Sequence, residues 1–110
     1  MKIAILGAGK LGLVLIEALQ AGNNEITLVD KNEKRLEDLV QQYEVLTCVG
    51  DIHRVSVLEE IDIASYDFAL ACTGNDDANI FAASAAKSLG CNKVIARISE
   101  DLRRRNTHPG

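Results

Sequence analysis

Residues 4–12 read AILGAGKLG, and the reading of this stretch decides the fold. Three glycines, Gly7, Gly9 and Gly12, stand two and three positions apart directly behind an apolar run. Glycines so spaced mark a dinucleotide-type turn when a strand precedes them, a helix follows, and an acidic residue closes the next strand. All three conditions are met. Residues 2–6, KIAIL, form a near-continuous apolar run suited to a strand buried on both faces of a parallel sheet. Over 10–21, Leu11, Leu15, Ala18 and Leu19 recur at helical spacing and supply the expected core face, until Gly22-Asn23-Asn24 stops the helix. ITLV at 26–29 is a second strand ending on Asp30, eighteen positions beyond Gly12. In this arrangement Gly7 permits the tight turn, Gly9 lets backbone approach a pyrophosphate, and Gly12 lets the helix pack closely on the first strand. The helix N-terminus offers N–H groups and a partial positive charge to phosphates, and Asp30 is placed to accept from ribose hydroxyls. The competing reading is a glycine turn that serves the fold and holds nothing.

Outward from this unit the alternation continues. Residues 32–43 form a charged amphipathic helix with Leu36, Leu39, Val40 and Tyr43 on one face. VLTCV (45–49) is a third strand stopped by Gly50-Asp51, and 54–60 a short helix with Val55, Leu58 and Val57 as its apolar side. FALAC (68–72) is a fourth strand, 76–89 an alanine-rich helix closed by Gly90, and KVIARI (93–98) a fifth strand. Every strand-to-strand connection is long enough for a crossover, so the sheet is parallel. Right-handed crossovers then give an α/β fold of Rossmann type, a doubly wound sheet in the order 3-2-1-4-5 between two helical layers. The domain is expected over 1–100, with 101–110 as a polar tail.

The carboxyl ends of the strands line one crevice, which gathers the remaining candidates. Lys10 is a cation beside the expected phosphates and suits an additional phosphate, as in ATP or ADP; a solvated lysine is the equal alternative. Asp30 argues against the 2′-phosphate of NADP, an argument softened by Lys31 and Arg35 nearby. Gly50 and Asp51 end the third strand, and Asp51 either reaches the adenine edge or serves as a turn or cap residue. Cys72-Thr73-Gly74-Asn75 follow the fourth strand on the same edge of the sheet, with Gly74 allowing close backbone approach and Thr73 and Asn75 able to bond ribose or phosphate oxygens. Asn75 or Asp76 also fits a helix cap. Asn79 either reaches back to the crevice or is solvated. Arg97 interrupts an apolar strand and favours a phosphate or carboxylate contact over a free surface.

The bulk properties exclude much else. With 110 residues the chain is one domain, and 47% hydrophobic residues suffice for a core. A net charge of −4 and 4% aromatic residues argue against nucleic-acid binding. Three cysteines without a CxxC pair make a zinc site improbable; Cys48 and Cys72 read as core residues and Cys91 as an exposed thiol in a turn. Unpaired cysteines fit a reducing cytoplasm. No signal peptide is visible, and no apolar run is long enough to span a membrane. His53 and His108 lie in no catalytic motif, and no metal site or nucleophile elbow appears.

With these residues in hand the chain resembles the TrkA-N type of domain, also called KTN, the nucleotide-binding half of RCK (regulator of conductance of potassium) proteins. The resemblance rests on IAILGAGKLG, ITLVDKNEKRLEDL, VGD with the following VSVLEEIDIASYDFALACTGNDDANIFAASAAKSLG, and KVIARI. It implies binding of NAD(H) or ATP/ADP without catalysis, and regulation of a membrane potassium channel or transporter from the cytoplasmic side. It also implies a homodimer or larger ring. Carried over by position, Gly7, Ala8, Gly9, Lys10 and Leu11 would hold phosphates, Asp30 and Lys31 the ribose, and Asp51 and Ile52 the adenine. Thr73, Gly74 and Asn75 would line the far side, with Arg97 near. The family continues after ARI with a further helix and strand, whereas this sequence runs into DLRRRNTHPG, so a fragment or short form is expected. The apolar surround of the 76–89 helix, with Ile80 and Phe81, fits a dimer contact. The alternative function is the cofactor domain of an NAD-dependent oxidoreductase, cut short; a structural subunit with an idle site is a third reading.

Overall fold

The structure, a computed structural model, describes residues 1–99. The elements run β1 (Lys2–Leu6), α1 (Lys10–Leu19), β2 (Glu25–Asp30), α2 (Glu33–Gln42), β3 (Leu46–Val49), α3 (Val55–Glu60), β4 (Phe68–Ala71), α4 (Asp76–Ser88) and β5 (Lys93–Ala96). A single 3₁₀ turn, Ile63–Ser65, joins α3 to β4. All neighbouring strands pair in parallel, in the order β3-β2-β1-β4-β5 expected from the sequence.

The pleat of β1 sorts the core into two layers, because successive side chains point to opposite faces. Ile3 and Ile5, with Ile26 and Leu28 of β2, pack under α1 and α2 against Ile16, Leu36 and Leu39. Ala4 and Leu6, with Val29, Ala69 and Ala71, face Leu58 of α3 and Ala78, Ala82 and Ala86 of α4. Ile5, Leu6, Ile16, Leu28 and Leu58 are fully buried, each contributing about 1.5–3 kcal/mol relative to an exposed position. The second layer is built from small residues, which lets α4 lie close on the sheet. A buried polar pair within it, Thr27 Oγ1 and Tyr66 Oη, is satisfied internally at 2.7 Å, as burial requires.

Several expectations are corrected. The core face of α1 is Gly12 and Ile16, flanked by Leu13, Leu15 and Leu19, whereas Leu11 and Ala18 are exposed. Gly12 carries no apolar side chain, so periodicity alone rotated the expected face. On α2, Val40 is exposed. On α3, Val57 and Leu58 are buried and Val55 is exposed. Cys91 is not an exposed thiol: it is 2% exposed and its Sγ lies 3.5 Å from Tyr66 O and from Lys93 O. Cys48 is only half-buried, because β3 is an edge strand. β5 ends at Ala96, so Arg97 follows the strand, although its N–H still donates to Ala71 O (2.8 Å). On α4, Ile80 and Phe81 are exposed, which leaves the expected dimer face uncorrected. The expected polar tail, 101–110, lies outside the described residues.

The alanine contact between α4 and the sheet has no spare volume, since Ala82 is 0% exposed. Ala82→Leu is expected to lower unfolding free energy in urea by about 1–3 kcal/mol through overpacking. Ser84→Ala, exposed on the same helix, should change it by less than about 0.5 kcal/mol.

Candidate functional site

At the carboxyl ends of the strands a crevice of about 160 Å³ opens between loops from the two faces of the sheet. Gly7 and Asp30 contribute one wall; Ile52, His53, Thr73 and Ala78 contribute the other. A larger depression of about 400 Å³ lies at the opposite ends of β2 and β3, beside Asn24, Glu25 and Leu46. The Gly22-Asn23-Asn24 turn that borders it follows the C-terminus of α1, and open α/β sheets bind ligands at the carboxyl ends of the strands, so the smaller crevice is the candidate.

The glycines of the first turn separate by what surrounds them. Gly7 has φ +113°, and a Cβ there would stand 2.6 Å from Thr73 Cγ2. A Cβ at Gly12 would stand 2.5 Å from Gly7 O. Both are demanded by the protein's own packing. Gly9 differs: apart from its chain neighbours, no atom of the described residues lies within 4 Å of its Cβ position, and Gly74, in the loop after β4, is equally open. Lys10 and Leu11, which begin α1, are exposed. Among the described residues α1 has no side-chain cap and no acidic residue in its first turn. By contrast, Asn32 caps α2 and Asn75 caps α4.

Ala8 is held from both sides. Its N–H donates to Asp30 Oδ2 (2.8 Å), and its carbonyl accepts from Arg35 Nε. Asp30 Oδ1 accepts from Asn32 N (3.1 Å). A carboxylate oxygen has two acceptor sites, so each oxygen of Asp30 retains one. Cys72 does not line the crevice but lies beneath the turn, its thiol donating to Gly7 O (3.4 Å). Burial foremost pushes this thiol from 9.0 to about 11; Arg97 opposes the shift and Asp30 adds to it.

The β4–α4 loop is organised by Asn79, which is fully buried. Its Oδ1 accepts from Thr73 N (2.8 Å) and Thr73 Oγ1 (2.7 Å). Its Nδ2 donates to Thr73 O and Arg97 O, both at 3.0 Å. The solvated reading of Asn79 is therefore overturned. Arg97 is exposed, and its Nη1 donates to Thr73 O (3.2 Å). Asp51 takes the turn role: its Oδ1 accepts from His53 N (2.9 Å) and lies 3.4 Å from His53 Nδ1. That backbone hydrogen bond is the main cause holding its carboxyl below the usual range, against some desolvation and with help from the charges of His53 and Lys31. Ile52 is buried at the crevice floor, and Gly50 packs on Val57, where a Cβ would come within 2.8 Å.

Sequence reasoning missed Arg35 as a support of the turn and His53 as a lining residue. Arg35 had no signal beyond proximity to Asp30, and His53 only its place three residues past Gly50. No group of three or more potential metal ligands occurs among the described residues, and no helix among them is long and apolar enough to cross a membrane.

The topology defines a doubly wound α/β protein of Rossmann type. Within that class the chain belongs to the TrkA-N domain family, which it matches over residues 3–107. It is 30% identical over 99 residues to a Trk system potassium uptake protein TrkA homolog of Methanothermobacter thermautotrophicus, covering 90% of this chain and 46% of the relative. It is 39% identical over 89 residues to the Trk system potassium uptake protein TrkA of Vibrio alginolyticus, covering 81% and 19%. The chain thus spans less than half the length of these relatives. Among solved structures it superposes on the GsuK channel with a TM-score of 0.81 at 22% identity, covering 96% of this chain and 19% of the channel. On the GsuK channel bound to NAD the score is 0.71 at 19% identity, covering 86% and 21%. On a Shewanella denitrificans Kef C-terminal domain in AMP-bound form it is 0.70 at 18%, covering 86% and 57%. At these identities the structural likeness establishes the fold.

Asn79→Ala strands the Thr73 N–H and the Arg97 carbonyl, and should cost about 2–3 kcal/mol in urea denaturation. Cys72 makes stability depend on pH. A thiol whose native pKa is raised stabilises the fold below its unfolded pKa, and that contribution is lost as pH climbs through the native value. Between pH 9 and pH 11 the wild type should therefore lose about 2 kcal/mol relative to Cys72→Ala, measured by urea denaturation at each pH.

Proposed function

We propose that this chain is a nucleotide-sensing regulatory domain, spanning about residues 1–100, that binds NAD(H) or ATP/ADP in the crevice. It acts by binding and not by chemistry. Occupancy shifts a conformational equilibrium that is passed to a membrane potassium channel or transporter on the cytoplasmic side. A shift of this kind requires different affinities for two states of the assembly, and a homodimer or larger ring supplies those states. The names of the relatives, potassium uptake proteins, support the transport link. NAD on the GsuK channel and AMP on the Kef domain support the ligand class. Phosphates fall to Gly7, Ala8, Gly9, Lys10 and Leu11 at the α1 terminus, ribose to Asp30 and Lys31, and the base to the Asp51–Ile52 loop. Thr73, Gly74, Asn75 and Arg97 lie across the crevice.

The observation that carries this reading is the contrast among the glycines. Gly7 and Gly12 are required by packing, whereas nothing described in the protein fills the space beside Gly9 and Gly74. Absence of a side chain at these two exposed positions, with Gly9 at the N-terminus of α1 and no side-chain cap there, leaves room and N–H groups for an anion.

Thermal unfolding in the presence of ATP, ADP, AMP, NAD, NADH or NADP tests the proposal. A ligand at a hundredfold excess over its Kd stabilises the native state by about 2.7 kcal/mol. The expected result is a raised Tm with ATP and NAD(H) and a smaller effect of NADP, whose 2′-phosphate meets the Asp30 carboxylate. Gly9→Ala should leave the unliganded Tm unchanged and abolish the ligand shift. No shift of the wild type with any nucleotide overturns the reading, and a shift with NAD(H) alone would favour the oxidoreductase fragment.

A further inference from the structure

The wall opposite the glycine turn carries a feature that phosphate or ribose binding does not use. His53 lines the crevice and its ring lies 5.8 Å from that of Phe81, centroid to centroid, with the planes 36° apart. Phe81 stands on α4 three residues after Ala78, itself a lining residue. Asp51 fixes the other side of the imidazole through the His53 backbone N–H and the 3.4 Å approach to Nδ1. The ring is thus supported on two sides, while about half of the side chain (49%) is open to solvent. Of the residues that line the crevice, His53 is the aromatic one.

From this we infer that the exposed face of the His53 imidazole is the stacking wall for the base of the bound nucleotide. The inference rests on reading the crevice as a nucleotide site. With phosphates at the α1 terminus and ribose at Asp30 on β2, the next strand outward is β3, and the loop leaving β3 carries Ile52 and His53. The base therefore meets an apolar floor at Ile52 and a flat ring at His53. Stacking on an aromatic face depends little on which base is present, because every base has a π-face. His53 accordingly sets affinity for base-bearing ligands over sugar phosphates, and Phe81 with Asp51 act as positioning residues behind it.

Calorimetric titration with AMP and with ribose 5-phosphate separates base from sugar. His53→Ala is expected to weaken AMP about tenfold and to leave ribose 5-phosphate unchanged. His53→Phe, which keeps a ring and removes the nitrogens, should restore AMP affinity to within about twofold of wild type. The chain contains no tryptophan, so the indole introduced by H53W is a lone reporter. Its fluorescence should be quenched by AMP and not by ribose 5-phosphate. Equal AMP affinity in wild type and His53→Ala overturns the stacking role while leaving the nucleotide site intact. Equal weakening in His53→Ala and His53→Phe also overturns it, in favour of a nitrogen contact. A wild type that binds neither ligand overturns the site itself.

Discussion

The backbone contact between residues 7 and 12 is the constraint on which the rest of the structure depends. The carbonyl of Gly7 occupies the place a side chain at residue 12 would take, so α1 begins against the end of β1 with no gap. That approach sets the direction of α1 across Ile3 and Ile5, and through it the position of Ile16 over the sheet. The same residue also meets Thr73 at the end of β4. One turn therefore fixes a helix on one face and a loop that leads to the other. A side chain at either glycine would separate them, and the crevice would lose its shape before any ligand entered.

Around this contact the two walls are held by side chains bonded to the backbone, of which Asp30 also lines the crevice. Asp30 and Arg35 take the two polar atoms of the Ala8 peptide, and Asn79 ties Thr73 to Arg97 with all its amide capacity used. Both arrangements are local and satisfied in the protein alone. Such a site is preorganised, so a ligand would spend little of its interaction energy on ordering loops.

The alternation of apolar runs and glycine stops made the fold legible, because a run as short as KIAIL, ended by glycine, suits a strand buried on both faces of a parallel sheet. The strand order followed from chirality and crossover length. The turn glycines, Asp30 and the Thr73–Asn75 loop were equally visible, since spacing places them at strand ends. What stayed hidden was which side a residue faces. Gly12 and Ile16, not Leu11, form the core of α1, because glycine is silent in a periodicity argument. Cys91 follows a turn yet is buried, because the turn folds it back against Tyr66. Asn79 and Arg35 act through hydrogen bonds to backbone atoms distant in sequence, and no spacing rule encodes such partners.

The all-parallel pairing around β1 bears on how the chain is made. The hydrogen bond of Lys2 N to Asp67 Oδ2 joins residues 65 positions apart, at the edge of the β1–β4 pair. Within this domain the central strand is synthesised before either of its neighbours, and its second partner, β4, follows about 65 positions later. Pairings of high sequence separation fold slowly, and until β4 arrives one edge of β1, whose residues 3–6 are buried in the finished fold, stands open. The β1-α1-β2 unit can protect its other edge early. Closure of the second edge of β1 thus waits for FALA at residues 68–71.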